Sequence, residues 1–167
     1  MRQRRQARDT RRAREFEAFV AGAAGRLLHT AALLTGEAPD DTPRARRLLS
    51  LALAHTYACW DRLRGDDPYD HARQYLATRF AHGAWHQYGA PGRPPAHPDS
   101  ALAVLGPQER LILVLRLYEG IAEEQVAALL GLPRERVGTV CDRATATVLH
   151  PPRPPAPAVG GAKVAPS

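Results

Sequence analysis

Few side chains in this sequence have the residue types and the spacing of a metal-binding or catalytic site. His82 and His86 lie one helical turn apart, the spacing of a zinc-binding pair, but the sequence places no third ligand beside them. Asp66, Asp67 and Asp70 form an acidic cluster that fits helix capping better than paired catalytic carboxylates. The sequence contains no phosphate-binding loop and no nucleophile elbow. We therefore expect no enzyme, no metal site and no cofactor.

Cysteine usage and composition narrow the class of protein further. Cys59 and Cys141 are the only cysteines in 167 residues and have no CxxC spacing, which argues against a disulfide scaffold and a structural zinc site. Hydrophobic residues make up 44% and charged residues 24%, as in globular domains. No apolar run approaches the roughly 18 residues that span a bilayer, and no secretory leader is seen. We expect a soluble, cytoplasmic protein without a membrane partner.

The positive charge of the chain is concentrated at one end. Residues 1–14 hold seven arginines and one aspartate, which accounts for the whole formal net charge of +6. The rest of the chain is neutral. A block of like charge is typically disordered and can dock on nucleic acid or on an acidic partner, so we predict a disordered Arg-rich tail over 1–14.

Apolar residues at helical spacing predict three amphipathic helices in the first half of the chain. Thr42 followed by Pro43 has the order of an N-cap and a proline at the first helical position. No stretch alternates as a strand would. The predicted helices run from Ala13 to about Thr35, from Pro43 to Leu63, and from Pro68 to near Tyr88.

Proline and glycine divide the rest of the chain. A Pro/Gly-rich stretch cannot sustain a helix and predicts a linker long enough that the units on either side need not touch. The predicted fold class is all-α, with two small helical domains and a helix-turn-helix in the second. The predicted segments are the Arg-rich tail (1–14), an N-terminal helical domain (15–88), the linker (89–104), a C-terminal helical domain (105–149) and a disordered Pro-rich tail (150–167).

One spacing in the second unit is specific to a helix-turn-helix. Ala127 is followed four residues later by Gly131 and six residues after that by Val137. A small alanine lets two helices cross closely, a glycine supplies the positive φ of the tight turn, and the valine packs the second helix on the first. Pro133 can start that second helix without losing a hydrogen-bond donor. An ordinary helical hairpin without a nucleic-acid role is the alternative.

The second helix of this motif supplies the candidate DNA contacts. Arg136 and Thr139 are expected to face outward, opposite the apolar positions Val137 and Val140. A glycine at position 138 costs roughly 1 kcal/mol relative to alanine inside a helix. The candidate DNA-binding residues of this helix are Arg134, Arg136, Thr139 and Arg143.

The second unit resembles the C-terminal DNA-binding domain of the extracytoplasmic-function sigma factors, the small promoter-recognition subunits of bacterial RNA polymerase. The resemblance rests on the stretches Leu105–Gly120 and Ile121–Pro133. The stretches Glu15–Val20 and Arg26–Gly36 resemble the opening of the N-terminal domain of that family, and Trp60 falls where that domain continues. The resemblance covers about residues 15–149.

The resemblance implies binding rather than catalysis. The N-terminal helices would bind the RNA polymerase core and open the downstream promoter element, while the helix-turn-helix would read double-stranded promoter DNA upstream. Trp85 and Tyr88 would be stacking platforms for unpaired bases. The stretch Thr78–Gln87 lacks the Asn and the several Arg and Asp residues that the family usually carries around its tryptophan. We therefore expect promoter opening to be marginal.

Three functions remain open from the sequence. The first is a working sigma factor. The second is a sigma-derived DNA-binding regulator that no longer directs initiation. The third is a module that binds a regulatory protein such as an anti-sigma factor and makes little contact with DNA.

Overall fold

The computed structural model describes residues 2–86 and 96–151, and within those two ranges it is all helical, with no β-strand. The all-α class with a helix-turn-helix at the C-terminal end is confirmed. The elements are α1 (Arg2–Thr35), α2 (Pro43–Cys59), a 3-10 turn (Trp60–Arg62), α3 (Pro68–His86), α4 (Pro107–Leu113) with a π-helical turn after it (Val114–Tyr118), α5 (Glu123–Leu130) and α6 (Arg134–Leu149).

Helix α1 begins at Arg2, so the segment expected as a disordered tail is helical in the structure. Arginine, glutamine and alanine are good helix formers, which lets the helix extend beyond the part that packs on the core. Arg12 anchors the extension, because its guanidinium lies 4.3 Å from the ring centre of Tyr57 and 3.5 Å from the carboxylate of Asp61. One turn after Arg12, Phe16 packs edge-on against Trp60, with the ring centres 5.1 Å apart.

Among the described helices, α1 alone is long and apolar enough to cross a membrane by length and composition. A core helix of a globular protein passes the same test. A third of the most apolar window of α1 is buried inside the protein, and the buried apolar side chains are those of Ala23, Leu27, Ala31 and Leu34.

Gly36 ends α1 at a point where three parts of the chain meet. Its φ of +63° is the left-handed conformation that favours glycine, and its N–H donates to the carbonyl of Ala32 at 3.0 Å. Its own carbonyl accepts the N–H of His97 at 2.7 Å. A Cβ atom at position 36 would lie 1.8 Å from Nη1 of Arg110 in α4. Only glycine therefore allows the end of α1, the end of the linker and α4 to approach this closely.

The N-terminus of α2 is capped from the preceding loop by Glu37. Thr42 occupies the N-cap position, as predicted, but its side chain makes no capping hydrogen bond. The carboxylate of Glu37 instead accepts the backbone N–H groups of Arg44 at 2.7 Å and Ala45 at 2.8 Å. Burial alone would raise the pKa of Glu37, but these backbone donors and the hydroxyl of Thr35 outweigh it and lower the pKa below its ordinary value.

The linker is long enough to keep the two helical units apart, yet the units pack against each other. Helix α4 lies against α1 and α3, and α5 contacts α3. One core of buried apolar side chains runs from the end of α1 through α2 and α3 into α4, α5 and α6. Residues 87–95, which include the first seven positions of the predicted linker, lie outside the described residues, and so do residues 152–167 of the predicted Pro-rich tail.

The contact between the two units is centred on Glu119, whose side chain is 0% exposed. Its carboxylate accepts hydrogen bonds from the hydroxyl of Thr30 in α1 and from that of Tyr69 in α3, the latter at 3.0 and 3.1 Å. Arg26 of α1 lies 3.3 Å from the same carboxylate, and Arg73 of α3 lies 3.7 Å from it. Burial and the charge of Glu119 raise the pKa of Tyr69, so the phenol stays protonated and donates.

Replacing Glu37 tests the cap of α2. Glu37→Gln is expected to lower the free energy of unfolding by about 0.5–2 kcal/mol near neutral pH, the usual value of an N-cap. The folded-state pKa of Glu37 lies below its ordinary value of 4.5, so its stabilisation is complete above that value and is lost as the pH falls through the folded-state pKa.

Chemical denaturation of the parent protein and of Glu37→Gln, at pH values from neutral to about pH 3, measures the difference in their free energy of unfolding. This range includes the ordinary pKa of glutamate. Glu17→Gln, at an exposed position of α1, is the matched control and should show no difference at any pH. A difference that did not change with pH would mean that the charge of Glu37 is not what stabilises α2.

Replacing Glu119 tests the contact between the units. Glu119→Gln keeps the size of the side chain and removes the buried charge that faces Arg73, which is 13% exposed, while Asp70 stays 2.8 Å from that guanidinium. Breaking a buried ion pair costs about 3–5 kcal/mol when the remaining charge is left uncompensated, and the pair with Asp70 reduces this cost. We expect a loss of stability of up to that amount, or a larger radius of gyration in solution scattering if the units separate first. The control is Glu124→Gln, an exposed glutamate of α5, and equal behaviour of the two variants would contradict the prediction.

Candidate DNA-binding interface

Helices α5 and α6 form the predicted helix-turn-helix. Gly131 follows α5 with φ +64°, the left-handed conformation expected of the turn. The N–H of Leu132 donates to the carbonyl of Ala127 at 3.0 Å and closes the turn. Pro133 occupies the N-cap position of α6, and its carbonyl accepts the N–H of Arg136 at 3.1 Å. The turn between the two helices thus comprises three residues.

The crossing of α5 and α6 is fixed by the apolar residues that the spacing singled out. Val126 and Val137 are fully buried, and Ala127 lets the helices approach because its side chain is a single methyl group. Burial raises the pKa of the Cys141 thiol, so this cysteine is a packing residue. The other buried positions of α6 are Val140 and Ala144, which complete the face of the helix turned to the core.

The opposite face of α6 presents Arg136 and Thr139 to solvent. The side chain of Arg136 has no hydrogen-bond or ion-pair partner within residues 2–86 and 96–151, so its guanidinium is available to a ligand. The hydroxyl of Thr139 donates to the carbonyl of Glu135 at 2.8 Å, which leaves its oxygen as an acceptor. Arg136 and Thr139 therefore both face outward, as predicted from the sequence.

The other two candidate arginines are already paired with glutamates. Arg134 lies 2.8 Å from the carboxylate of Glu124 and 3.3 Å from that of Glu123, and Arg143 lies 2.9 Å from that of Glu109. The arginine side chains are 59% and 64% exposed. Exposed ion pairs are worth little, about 0–1 kcal/mol, so a DNA phosphate can replace the glutamates at small cost.

Gly138 makes room for one of these glutamates. A Cβ atom at this position would lie 3.1–3.3 Å from the carboxylate of Glu123, closer than side chains normally pack. The glycine that weakens the intrinsic helix propensity of α6 thus allows Glu123 to reach across from α5. This contact could not be predicted from the sequence, because the two residues lie on different helices.

The charge of the helix-turn-helix unit is small and negative. Residues 101–150 hold five arginines and six acidic residues, a net charge of −1. Binding to DNA without sequence preference depends on neutralising phosphates, so this unit alone has little general attraction for DNA. The positive charge lies instead on the exposed first turns of α1, at Arg2, Arg4, Arg5 and Arg8.

The two predicted stacking platforms, Trp85 and Tyr88, are residues whose side chains the structure does not describe. Trp85 lies near the end of α3, and nothing is described of its side chain, while Tyr88 falls outside the described residues. Their role in binding unpaired bases stays a prediction.

The fold and this geometry define a helix-turn-helix unit whose second helix, α6, packs one face on the core and presents a polar face to solvent. Residues 101–146 match the sequence profile of the family described as Sigma-70, region 4. This match bears out the predicted resemblance for that segment, so α4, α5 and most of α6 are similar to a region 4 domain, while the helices before residue 101 lie outside the match. No curated protein and no solved structure matches the chain.

Arg136 is the residue of α6 best placed to read a base. A guanidinium that reaches a guanine edge contributes about 1–3 kcal/mol of discrimination, so Arg136→Ala should weaken specific binding by that amount and non-specific binding by less. The specific probe is a duplex that the full-length chain selects from a random pool, and titration by fluorescence anisotropy at fixed salt measures both affinities. Arg46→Ala, at an exposed arginine of α2, is the matched control. Equal losses on both duplexes would make Arg136 a phosphate contact.

Proposed function

We propose that this chain is a sigma-type transcription factor of the extracytoplasmic-function group, which binds the RNA polymerase core and promoter DNA and directs initiation. The region 4 match over α4 to α6 is the observation that supports this most. The N-terminal helices would supply the polymerase contact, and α6 would read the upstream promoter element. The polymerase carries the catalysis, and the protein acts in the cytoplasm, where polymerase and DNA are found.

The packing of the two units bears on how such a factor would act. The contact at Glu119 holds the helix-turn-helix against α1 and α3, while the face of α6 with Arg136 stays exposed. Arg136 can therefore contact upstream DNA while the two units remain packed together. Reading two promoter elements at once requires a set distance between the units, so we propose that binding to polymerase separates them at this contact. Arg26 is 51% exposed and gives solvent access to the edge of the cluster.

A second function is favoured by two observations. The net charge of −1 over residues 101–150 gives little general attraction for DNA, and the stretch Thr78–Gln87 lacks the polar groups that the family uses around its tryptophan. Both fit a sigma-derived regulator that binds DNA or a regulatory protein, such as an anti-sigma factor, without opening promoters.

Copurification with core polymerase followed by permanganate footprinting tests the first function. Base stacking on an aromatic side chain is worth about 1–3 kcal/mol, comparable to the roughly 1.4 kcal/mol of one base-pair step, so opening without polar partners should be marginal. We expect copurification, weak reactivity of thymines on linear promoter DNA and stronger reactivity on negatively supercoiled DNA.

Arg136→Ala is the matched control, since it should lower the footprint without lowering the amount of polymerase recovered. Strong opening on linear DNA would contradict the prediction of marginal opening. DNA binding with no copurified polymerase and no reactive thymine on either template would support the regulator. If the chain bound neither polymerase nor DNA, the partner-binding function would remain.

A further inference from the structure

Three side chains that bind transition metals meet between α2 and α3, away from the DNA-binding face. His55 and Cys59 lie one turn apart on α2, and His71 lies on the facing turn of α3. A ring nitrogen of each histidine and the sulfur of the cysteine all lie within 4.8 Å of one another. Neither promoter reading nor the contact at Glu119 uses these residues.

The spacing of the three groups is close to that of a metal site. Zinc bonds of about 2.3 Å to sulfur and 2.0–2.1 Å to nitrogen place tetrahedral ligand atoms roughly 3.3–3.6 Å apart. Sγ of Cys59 lies 3.8 Å from Nε2 of His55. The rings of His55 and His71 are nearly parallel, with centres 5.2 Å apart, and both residues are half-buried. Small side-chain rotations would bring the three atoms to one ion.

Packing alone does not satisfy this cluster. Nε2 of His71 is buried and has no hydrogen-bond partner within the described residues, and buried polar atoms are seldom left in that state. The ring of Tyr75 stacks on that of His55 at 4.2 Å and holds it in place. Arg62 donates to the sulfur of Cys59 at 3.1 Å, a hydrogen bond that a metal-bound thiolate can keep.

We propose that His55, Cys59 and His71 bind one Zn²⁺ ion, or a similar divalent ion that prefers nitrogen and sulfur ligands. Thiolate and imidazole ligands together select such ions over Mg²⁺ and Ca²⁺. Three protein ligands leave one tetrahedral position to water, because a closed structural site needs four. The ion is therefore exchangeable, and when bound it joins α2 to α3 across the N-terminal unit.

Co²⁺ is a suitable probe, because a sulfur ligand gives a charge-transfer band in the near ultraviolet and tetrahedral coordination gives intense visible bands. The full-length chain, freed of metal with a chelator, should bind one Co²⁺ with both signals and release it to Zn²⁺. Cys59→Ser should lose the charge-transfer band. His71→Gln and His55→Gln should weaken binding by more than about 100-fold, beyond the loss seen for residues that only support a ligand. Excess Zn²⁺ should raise the Tm of the parent protein and not that of Cys59→Ser.

Two control variants separate this site from other ligands in the chain. Cys141→Ser removes the other cysteine, and His82→Gln removes an exposed histidine of α3, so both should keep the bands and the affinity. Circular dichroism confirms that each variant is folded, and His55 and His71 are half-buried positions where glutamine should be accepted. No charge-transfer band, a band lost in Cys141→Ser, or unchanged affinity in both His55→Gln and His71→Gln would overturn the proposal.

Discussion

The buried carboxylate of Glu119 is the interaction on which the arrangement of the two helical units depends. A charge that is fully removed from water must be compensated, and here the compensation comes from α1 through Thr30 and Arg26 and from α3 through Tyr69 and Arg73. These partners can reach Glu119 only when the region 4 domain lies against the N-terminal helices. Burial of apolar side chains brings the units together, and the hydrogen bonds and ion pairs of Glu119 determine their relative orientation.

Ion pairs between arginine and glutamate also determine which arginines of α6 are available to DNA. Arg134 and Arg143 are held by glutamates, whereas Arg136 is available. Glu123 reaches Arg134 because Gly138 leaves space for its carboxylate. Such exposed pairs are weak and compete with phosphate, so they reduce general attraction for DNA more than they reduce a specific contact. We therefore expect the affinity of this unit for DNA to depend on a partner or on a specific site.

The N-terminal unit combines two local devices that do not depend on DNA. Glu37 replaces the missing side-chain cap of α2, and Gly36 lets α1 end against Arg110 of α4. At the opposite end of α2 in the same unit, α2 and α3 bring two histidines and a cysteine together. The packing of the helices thus also brings together a set of candidate metal ligands. Because these residues come from two helices, no short sequence motif predicts their arrangement.

The helical class and the helix-turn-helix could be predicted from the sequence, because hydrophobic periodicity and the residues Ala127, Gly131 and Val137 act over one or two turns. The outward position of Arg136 follows from the same periodicity. The contacts between distant residues could not be predicted in this way: Glu119 with Arg26 and Arg73, Glu123 with Gly138, and His55 with His71. Such contacts depend on how helices cross, and crossing is set by the packing of many side chains at once. For the same reason the helical state of residues 2–14 was missed, since Arg12 gains its anchor on Tyr57 only after α1 and α2 have packed.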